Sequence, residues 1–381
     1  MALDEKTALA ALGTVYDPDL HKDLVTLGMV RDLVVDGSNV GVRIVLTTPA
    51  CPTKEKIRSE VEAALVKAGA TTTAIKMDAE MRRANGPAAP QGGPPGPQKT
   101  LTQNDRMTGV KAIIAVAAGK GGVGKSTVAT NIAVSLAKLG AKVGLLDADI
   151  YGPSIPIMLG LRGQRPSMTA DEKIAPMQRY GLSVMSMGFM LKEDQAVVWR
   201  GPMLGKALQQ FIEDVEWGDL DYVIVDMPPG TGDVQLSLAQ LLPVAGCVVV
   251  TTPQDVAFAD VRRAINQLEM TKTEVLGIVE NMAGFVCGNC GAEHAIFGES
   301  RIAAHAEAMK LEILGRIALD SVTAVAADQG EPITIAAPDS AASKTYREIA
   351  QRIARKVAIT THERNQVTPK FQAFFAQKPS A

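Results

Sequence analysis

The chain has 381 residues, 46% of them hydrophobic and 21% charged, with a formal net charge of −2 and a mean hydropathy of +0.09. That length accommodates two domains with ordinary cores, and no apolar run approaches the roughly 20 residues a membrane-spanning helix needs. A slightly acidic chain with 4% aromatic residues offers neither a basic footprint nor stacking platforms, so no nucleic-acid partner and no membrane contact are expected. The stretch "MALDEKTALAALGTVYDPD" places acids among its apolar residues, with no basic segment leading into an apolar one. A secretory signal is therefore not expected, and a cytoplasmic location is. Four cysteines in so long a chain do not make a disulfide scaffold.

Residues 1–82 read as a small α+β domain. An amphipathic helix in "DEKTALAALGTV" precedes two alternating strands, "MVRDLVVDG" and "NVGVRIVLTT", joined by a turn at Asp36-Gly37-Ser38-Asn39. A second helix follows within "PACPTKEKIRSEVEAALVKAG", where Pro52 suits a first helical position and Gly69 a stop, and "TTAIKMDA" closes the unit as a strand. Residues 83–109 are dense in Pro and Gly and nearly free of large apolar side chains, the composition of a flexible linker.

From 110 to 362 short apolar strands alternate with helical stretches. The strands are "KAIIAVAA", "AKVGLLDAD", "LSVMSMGF", "DYVIVDMPP", "GCVVVTTP", "VLGIVENM" and "ILGRIALD". Near-continuous apolar strands imply a sheet covered on both faces, and alternation with helices implies parallel connections: a doubly wound, mostly parallel α/β sheet. Residues 363–381 read as a short, proline-broken tail.

The first strand of this domain runs into "GKGGVGKST", which fits G-x-x-x-x-G-K-[ST] between a strand and a helix, the context of a phosphate loop. Gly119, Gly121, Gly122 and Gly124, with Lys120 and Val123 between them, let backbone N–H groups turn inward around phosphates at a helix N-terminus. Lys125 would neutralise the β/γ-phosphates, Ser126 would hold Mg²⁺, and Thr127 completes the loop. ATP and Mg²⁺ are the ligands this predicts. Asp226 follows four apolar strand residues and is the expected acid of the Mg²⁺ shell. Asp147 and Asp149 stand at another strand's C-terminal edge, where open α/β sheets bind ligands.

The "KGGVGK" form resembles the deviant Walker A loop of the ParA/MinD/nitrogenase-iron-protein class. The resemblance implies that Lys120 reaches across a two-fold dimer to the partner's nucleotide and that Asp149 orients the attacking water. It further implies that "PPGTGD" senses the γ-phosphate and that Asn281 in "VENM" contacts the adenine ring. Asp147 is equally a structural partner of the loop.

Cys287 and Cys290 form a C-x-x-C pair, and the chain holds no second one. A tetrahedral site wants four ligands. If Lys120 requires a two-fold dimer, the same axis can bring two copies of the pair together as a Cys₄ site, because a symmetric interface repeats each patch. Such a site suits Zn²⁺ and a [4Fe–4S] cluster equally, and a redox dithiol is a third option. His294 reads as a surface histidine and Cys247 as a packed strand residue.

The stretches "GKGGVGKST", "LLDADIYGPSIP", "MSMGF", "WRGPM", "YVIVDMPPGTGD", "TTPQDVA" and "GIVENMAGFVCGNCG…IFG" together resemble the Mrp/ApbC branch of phosphate-loop ATPases, the iron–sulfur cluster carriers. Through "DPDL", "LGMV" and "TTPACP" the small domain resembles the cluster-assembly domain often fused to that branch. The chain departs from the family at Gly288, where a proline is common, and at "GESR", where a glycine-rich turn is usual. The resemblance implies an ATP-hydrolysing homodimer that holds a bridging cluster, with a cluster-assembly scaffold and apo iron–sulfur proteins as partners. Cys51, with Pro52 opening a helix behind it, would lie where a helix N-terminus favours thiolate. It reads either as a reactive, cluster-handling thiol or as a small packed residue. Two rival readings are a positioning ATPase of the MinD/ParA kind and a zinc-bridged targeting ATPase. The first needs an amphipathic terminal helix or a basic surface; the second needs an exposed Met-rich patch.

Overall fold

The computed structural model describes residues 3–83, 107–150, 152–190, 201–230, 235, 238, 241–287 and 290–376. Two compact units divide the chain: Met1–Arg82 together with Ala354–Ala381, and Arg83–Ile353. Most of the proline-rich linker, 84–106, lies outside the described residues.

In the first unit α1 (Glu5–Leu12) is capped by Asp4, whose carboxylate accepts from the Thr7 N–H. After the two-residue strands β1 (Tyr16–Asp17) and β2 (Lys22–Asp23), β3 (Val30–Asp36) pairs antiparallel with β4 (Asn39–Leu46). Helix α2 (Lys54–Lys67) then crosses over to β5 (Thr72–Ala79), which lies parallel to β4. Alternate residues of β4 (Val40, Val42, Ile44, Leu46) are buried and meet Ile57, Val61 and Leu65 of α2 in one apolar core with Ala8 and Leu12. Gly69, with φ +108, ends α2. The helix begins two residues later than the position of Pro52 predicts, with Thr53 at its N-cap.

The second unit is built on a nine-stranded sheet. Its strands are β6 (Val110–Ala118), β7 (Val143–Asp147), β8 (Met177–Arg179), β9 (Leu182–Ser186), β10 (Leu220–Asp226), β11 (Val244–Thr251), β12 (Val275–Val286), β13 (Glu293–His294) and β14 (Ile313–Leu319). Seven run parallel in the order β14–β12–β11–β6–β10–β7–β9, and these are the seven apolar runs of the sequence. Only the short β8 and β13 are antiparallel. Helix α3 (Lys125–Lys138) carries the chain from β6 past β10 to β7, and nearly every residue from Val128 to Leu136 is buried. Further helices are α4 (Ile155–Met158), α5 (Gly201–Glu213), α6 (Asp255–Met270), α7 (Ile302–Ala308), α8 (Ser321–Asp328), α9 (Ile333–Ala336) and α10 (Ala341–Ala376).

The C-terminal end differs from the sequence expectation. Instead of a domain closing at 362 and a proline-broken tail, α10 continues to Ala376, and its residues from Ala354 belong to the first unit. There Arg355 Nε lies 2.7 Å from Asp19 Oδ1. A proline costs an isolated helix about 3 kcal/mol, but a long helix anchored over many turns tolerates one through a local kink.

Candidate nucleotide site and cysteine turn

Because β10 is inserted between β6 and β7, their C-terminal ends gather the chemistry. Asp226, the last residue of β10, is level with Val116 of β6 on one side and Asp147 of β7 on the other. The loop leaving β6 reaches α3 through Gly124 at φ +81, a left-handed conformation that glycine adopts without strain. A Cβ there would collide with the amide nitrogen of Asn281. At Gly119 a Cβ would strike the backbone of Asp260 in α6. Glycine at these two positions is thus a packing requirement.

Lys125, the first residue of α3, is 6% exposed. Its Nζ lies 2.5 Å from Asp226 Oδ1, 3.7 Å from Asp149 Oδ2 and 3.4 Å from Ser126 Oγ. One oxygen on each acid, Asp226 Oδ2 and Asp149 Oδ1, is buried without a hydrogen-bond partner among the described residues. Two orphaned anionic acceptors beside a serine hydroxyl are an arrangement that a hydrated divalent cation would satisfy, so the residues fit Mg²⁺. Burial raises the Asp226 carboxyl against the opposing pull of Lys125.

Asp147 has a different job. Its Oδ1 accepts from the Asp149 N–H at 3.2 Å, and its Oδ2 accepts from the Ile155 N–H at 3.3 Å and from the Ser186 hydroxyl at 2.9 Å. It pins the turn that presents Asp149. Complete burial, followed by the neighbouring Asp226, pushes its carboxyl up to about 8. Sequence reasoning left Asp147 between two roles and missed Ser186, which no motif marks.

Asn281 stands on β12, where its Nδ2 donates 2.8 Å to the Val123 carbonyl of the phosphate loop. The next residue, Met282, has φ +56, and the pairing of β12 with β14 slips register between Asn281 and Phe285. Beyond that slip β12 pairs antiparallel with β13 through Phe285↔His294 and Val286↔Glu293. The cysteines lie in the connecting turn: the Cys287 N–H donates to the Ala292 carbonyl, and the Gly291 N–H to the Cys287 carbonyl. Cys287 is half-buried, Cys290 is exposed, and neither is in a disulfide. Gly288 lies outside the described residues. Val286, Ile296 and Phe297, close to the cysteines in sequence, are 46%, 51% and 40% exposed, apolar surface that sequence reasoning did not single out. Among the described residues no group of three or more His, Cys, Asp or Glu is placed to hold a metal ion. His294 is exposed.

Cys247 is fully buried on β11, and its thiol is pushed up to about 12 by burial. Cys51 contradicts the expectation of a thiolate. It lies outside α2, 3.2 Å from the Thr53 hydroxyl, and burial raises its thiol above the ordinary value despite that contact. Lys120 stands half-buried within the phosphate loop. Of the "PPGTGD" segment, Pro228 is held by a bond from Gln235 Nε2 at 2.5 Å, while residues 231–233 lie outside the described part. No helix of the described chain is long and apolar enough to cross a membrane.

This geometry agrees with what the chain resembles. Residues 109–354 match the family described as NUBPL iron-transfer P-loop NTPase, and residues 5–76 match an iron–sulfur cluster assembly protein family. An iron–sulfur cluster carrier protein of Deinococcus radiodurans is 45% identical over 93% of this chain and 95% of its own length. One from Synechocystis is 43% identical over 94% and 99%. In structure, a nucleotide-binding protein from Archaeoglobus fulgidus in complex with ADP is 42% identical, with a TM-score of 0.54, covering 60% of this chain and 89% of that one. The chain belongs to the NUBPL iron-transfer P-loop NTPase family, joined to a domain of the iron–sulfur cluster assembly family.

Proposed function

We propose that this chain is a cytoplasmic, homodimeric ATPase that carries a [4Fe–4S] cluster between two copies of its cysteine turn and passes it to apoproteins. The observation that carries this reading is the course of β12, which braces the phosphate loop through Asn281 and ends at Val286, with Cys287 next, six residues beyond Asn281. At about 3.3 Å per residue those points are at most ~20 Å apart, within reach of coupling along one strand. The half-complete ligand set supports a site finished by a second chain. Two thiolates from each protomer would give the four sulfurs a cluster of this type takes.

In the nucleotide site, Gly119 to Thr127 would wrap the phosphates of ATP, and Lys125 would exchange its pairing with Asp226 for the β/γ-phosphates. Mg²⁺ would supply charge neutralisation there, held by Ser126 and the freed Asp226. Asp149 Oδ1 would accept a proton from the attacking water and orient it toward the γ-phosphorus, and the bond to the β-phosphate oxygen would break. Lys120, reaching into the partner's site, would stabilise the charge on the leaving oxygen, the device an arginine finger uses. Asn281 would meet the adenine ring on the loop's far side. Because hydrolysis resets the loop that Asn281 touches, the nucleotide state would bias how firmly the two cysteine turns hold their cargo. The cluster would leave by thiolate exchange, in which each cysteine sulfur is replaced by one from the recipient with no net redox change.

Anaerobic reconstitution with iron and sulfide tests this, with the wild type and Cys287→Ser run side by side. Expected is a broad absorption near ~400 nm and about four irons per dimer, both lost in the variant while ATP hydrolysis persists. A colourless protein with one zinc per dimer would replace the carrier reading with the zinc-bridged targeting ATPase.

A further inference from the structure

A cavity of about 350 Å³ opens in the first unit, within the range of small-molecule sites. It shares no residue with the phosphate loop or the cysteine turn. Its apolar lining includes Met29 and Met81, which are buried, and Leu20, Leu27 and Val45, which are half-buried; Leu46 beside Val45 turns to the opposite face, into the α2 core. Its more exposed lining carries three cations, Lys22, Arg31 and Arg82, against one acid, Glu80. From α10, Thr361, His362 and Asn365 complete the wall.

An apolar floor under an excess of positive charge selects a ligand with an apolar body and an anionic end. Guanidinium groups pair with carboxylates through two parallel hydrogen bonds, and desolvation by the floor strengthens that pairing. Size excludes a folded partner and admits a short chain or ring. We propose that this cavity binds a small amphipathic carboxylic acid, its apolar part among Leu20, Leu27, Met29, Val45 and Met81 and its carboxylate between Lys22 and Arg82.

The imidazole of His362 registers the same field. Burial lowers its pKa first, Lys22 and Arg82 lower it further, and Asp17 and Glu363 oppose them. A carboxylate seated beside those cations would offset their repulsion and raise the midpoint of His362. The chain has only four histidines, which makes this readable.

Octanoate is the probe, added to the full-length protein and followed by calorimetry and by NMR of the imidazoles, with His362→Gln to assign the signal. Expected are one saturable site per chain and an upward move of the His362 midpoint. Octanol should bind at least tenfold more weakly, and the double variant Lys22→Glu/Arg82→Glu should lose octanoate at least tenfold. Both replaced residues are solvent-accessible, so circular dichroism should report an unchanged fold. Absence of saturable octanoate binding overturns the proposal. So does binding that octanol matches, or that the charge reversals leave intact, because either makes the cavity a mere apolar crevice.

Discussion

The phosphate loop and the cysteine turn sit at the two ends of one stretch of β12, and they are built in opposite ways. Around the loop the principal side chains are buried and paired within the chain: Lys125 with Asp226 and Asp149, and Asp147 with two backbone N–H groups and Ser186. Around the turn two free cysteines stand in one chain, Cys290 is exposed, and Val286, Ile296 and Phe297 are exposed too. The first arrangement is preorganised, so that electrostatic work needs little reorganisation when a nucleotide binds. The second, with apolar residues and an exposed thiol turned to solvent, fits the proposed reading in which a second copy would complete it.

The sharpest way to break that comparison is Lys125→Ala. ATP hydrolysis should fall by about a hundredfold or more, the scale of losing a preorganised charge contact. Iron content after reconstitution should stay near that of the wild type. Removing the cation also strands the buried acids, which costs about 3–5 kcal/mol of stability where a buried pair is broken; urea denaturation should register it. Loss of the cluster in folded Lys125→Ala protein would show that the two ends are one site.

Next in size is a pH effect confined to the loop end. The folded-state pKa of Asp147, about 8, lies above its ordinary value of 3.8. Between those values the folded chain keeps a proton that the unfolded chain has released. Its contribution to stability is therefore full below the lower value and is lost as pH rises toward the upper one, at up to ~1.4 kcal/mol per pH unit. Asp147→Asn should flatten this fall in urea titrations between about pH 5 and 8. An unchanged slope would mean that the buried acid is ionised throughout.

A third variant, Gly124→Ala, combines a left-handed backbone with a collision against Asn281. The backbone term alone is roughly 1–2 kcal/mol, about a tenfold loss in nucleotide affinity. Asn281→Ala in the same chain should recover part of it, a coupling that a double-mutant cycle would measure. If β12 links the two ends, Asn281→Ala alone should also change how far ATP alters cluster retention. Independence of the two would leave the shared strand without a role.

Much of this was legible in the residues. The seven parallel strands announced themselves as apolar runs because both faces of the sheet are covered, and the glycine–lysine loop because its spacing follows from wrapping phosphate. What was not legible depends on tertiary contact. Ser186 is one serine at the end of β9 until the fold lays it beside Asp147, and the apolar residues near the cysteines in sequence have no periodicity to find. Pro52 and the proline of the C-terminal segment misled for one reason: each is a local signal that the surrounding chain overrides, through Thr53 at the helix start and through the length of α10.

The smallest predicted effect returns to Cys51, whose position in the sequence leaves it between a reactive thiol and a small packed residue. Placed at a helix N-terminus, Cys51 would be a thiolate; placed before Thr53, half-buried and hydrogen-bonded to its hydroxyl, it keeps its proton more firmly than an ordinary thiol. Burial is the main cause, and the nearby Asp17 and Asp19 act in the same direction. Only the thiolate attacks an alkylating agent. At neutral pH, iodoacetamide should therefore modify Cys290 first and Cys51 several-fold more slowly, leaving the buried Cys247 untouched in the folded chain. The Thr53 contact favours the thiolate, so Thr53→Ala should slow Cys51 further, by about tenfold for each unit its pKa rises. Mass spectrometry of timed samples separates the sites. A Cys51 that reacts as fast as Cys290 would place a nucleophile in the small domain and make it a second thiol station for the cargo.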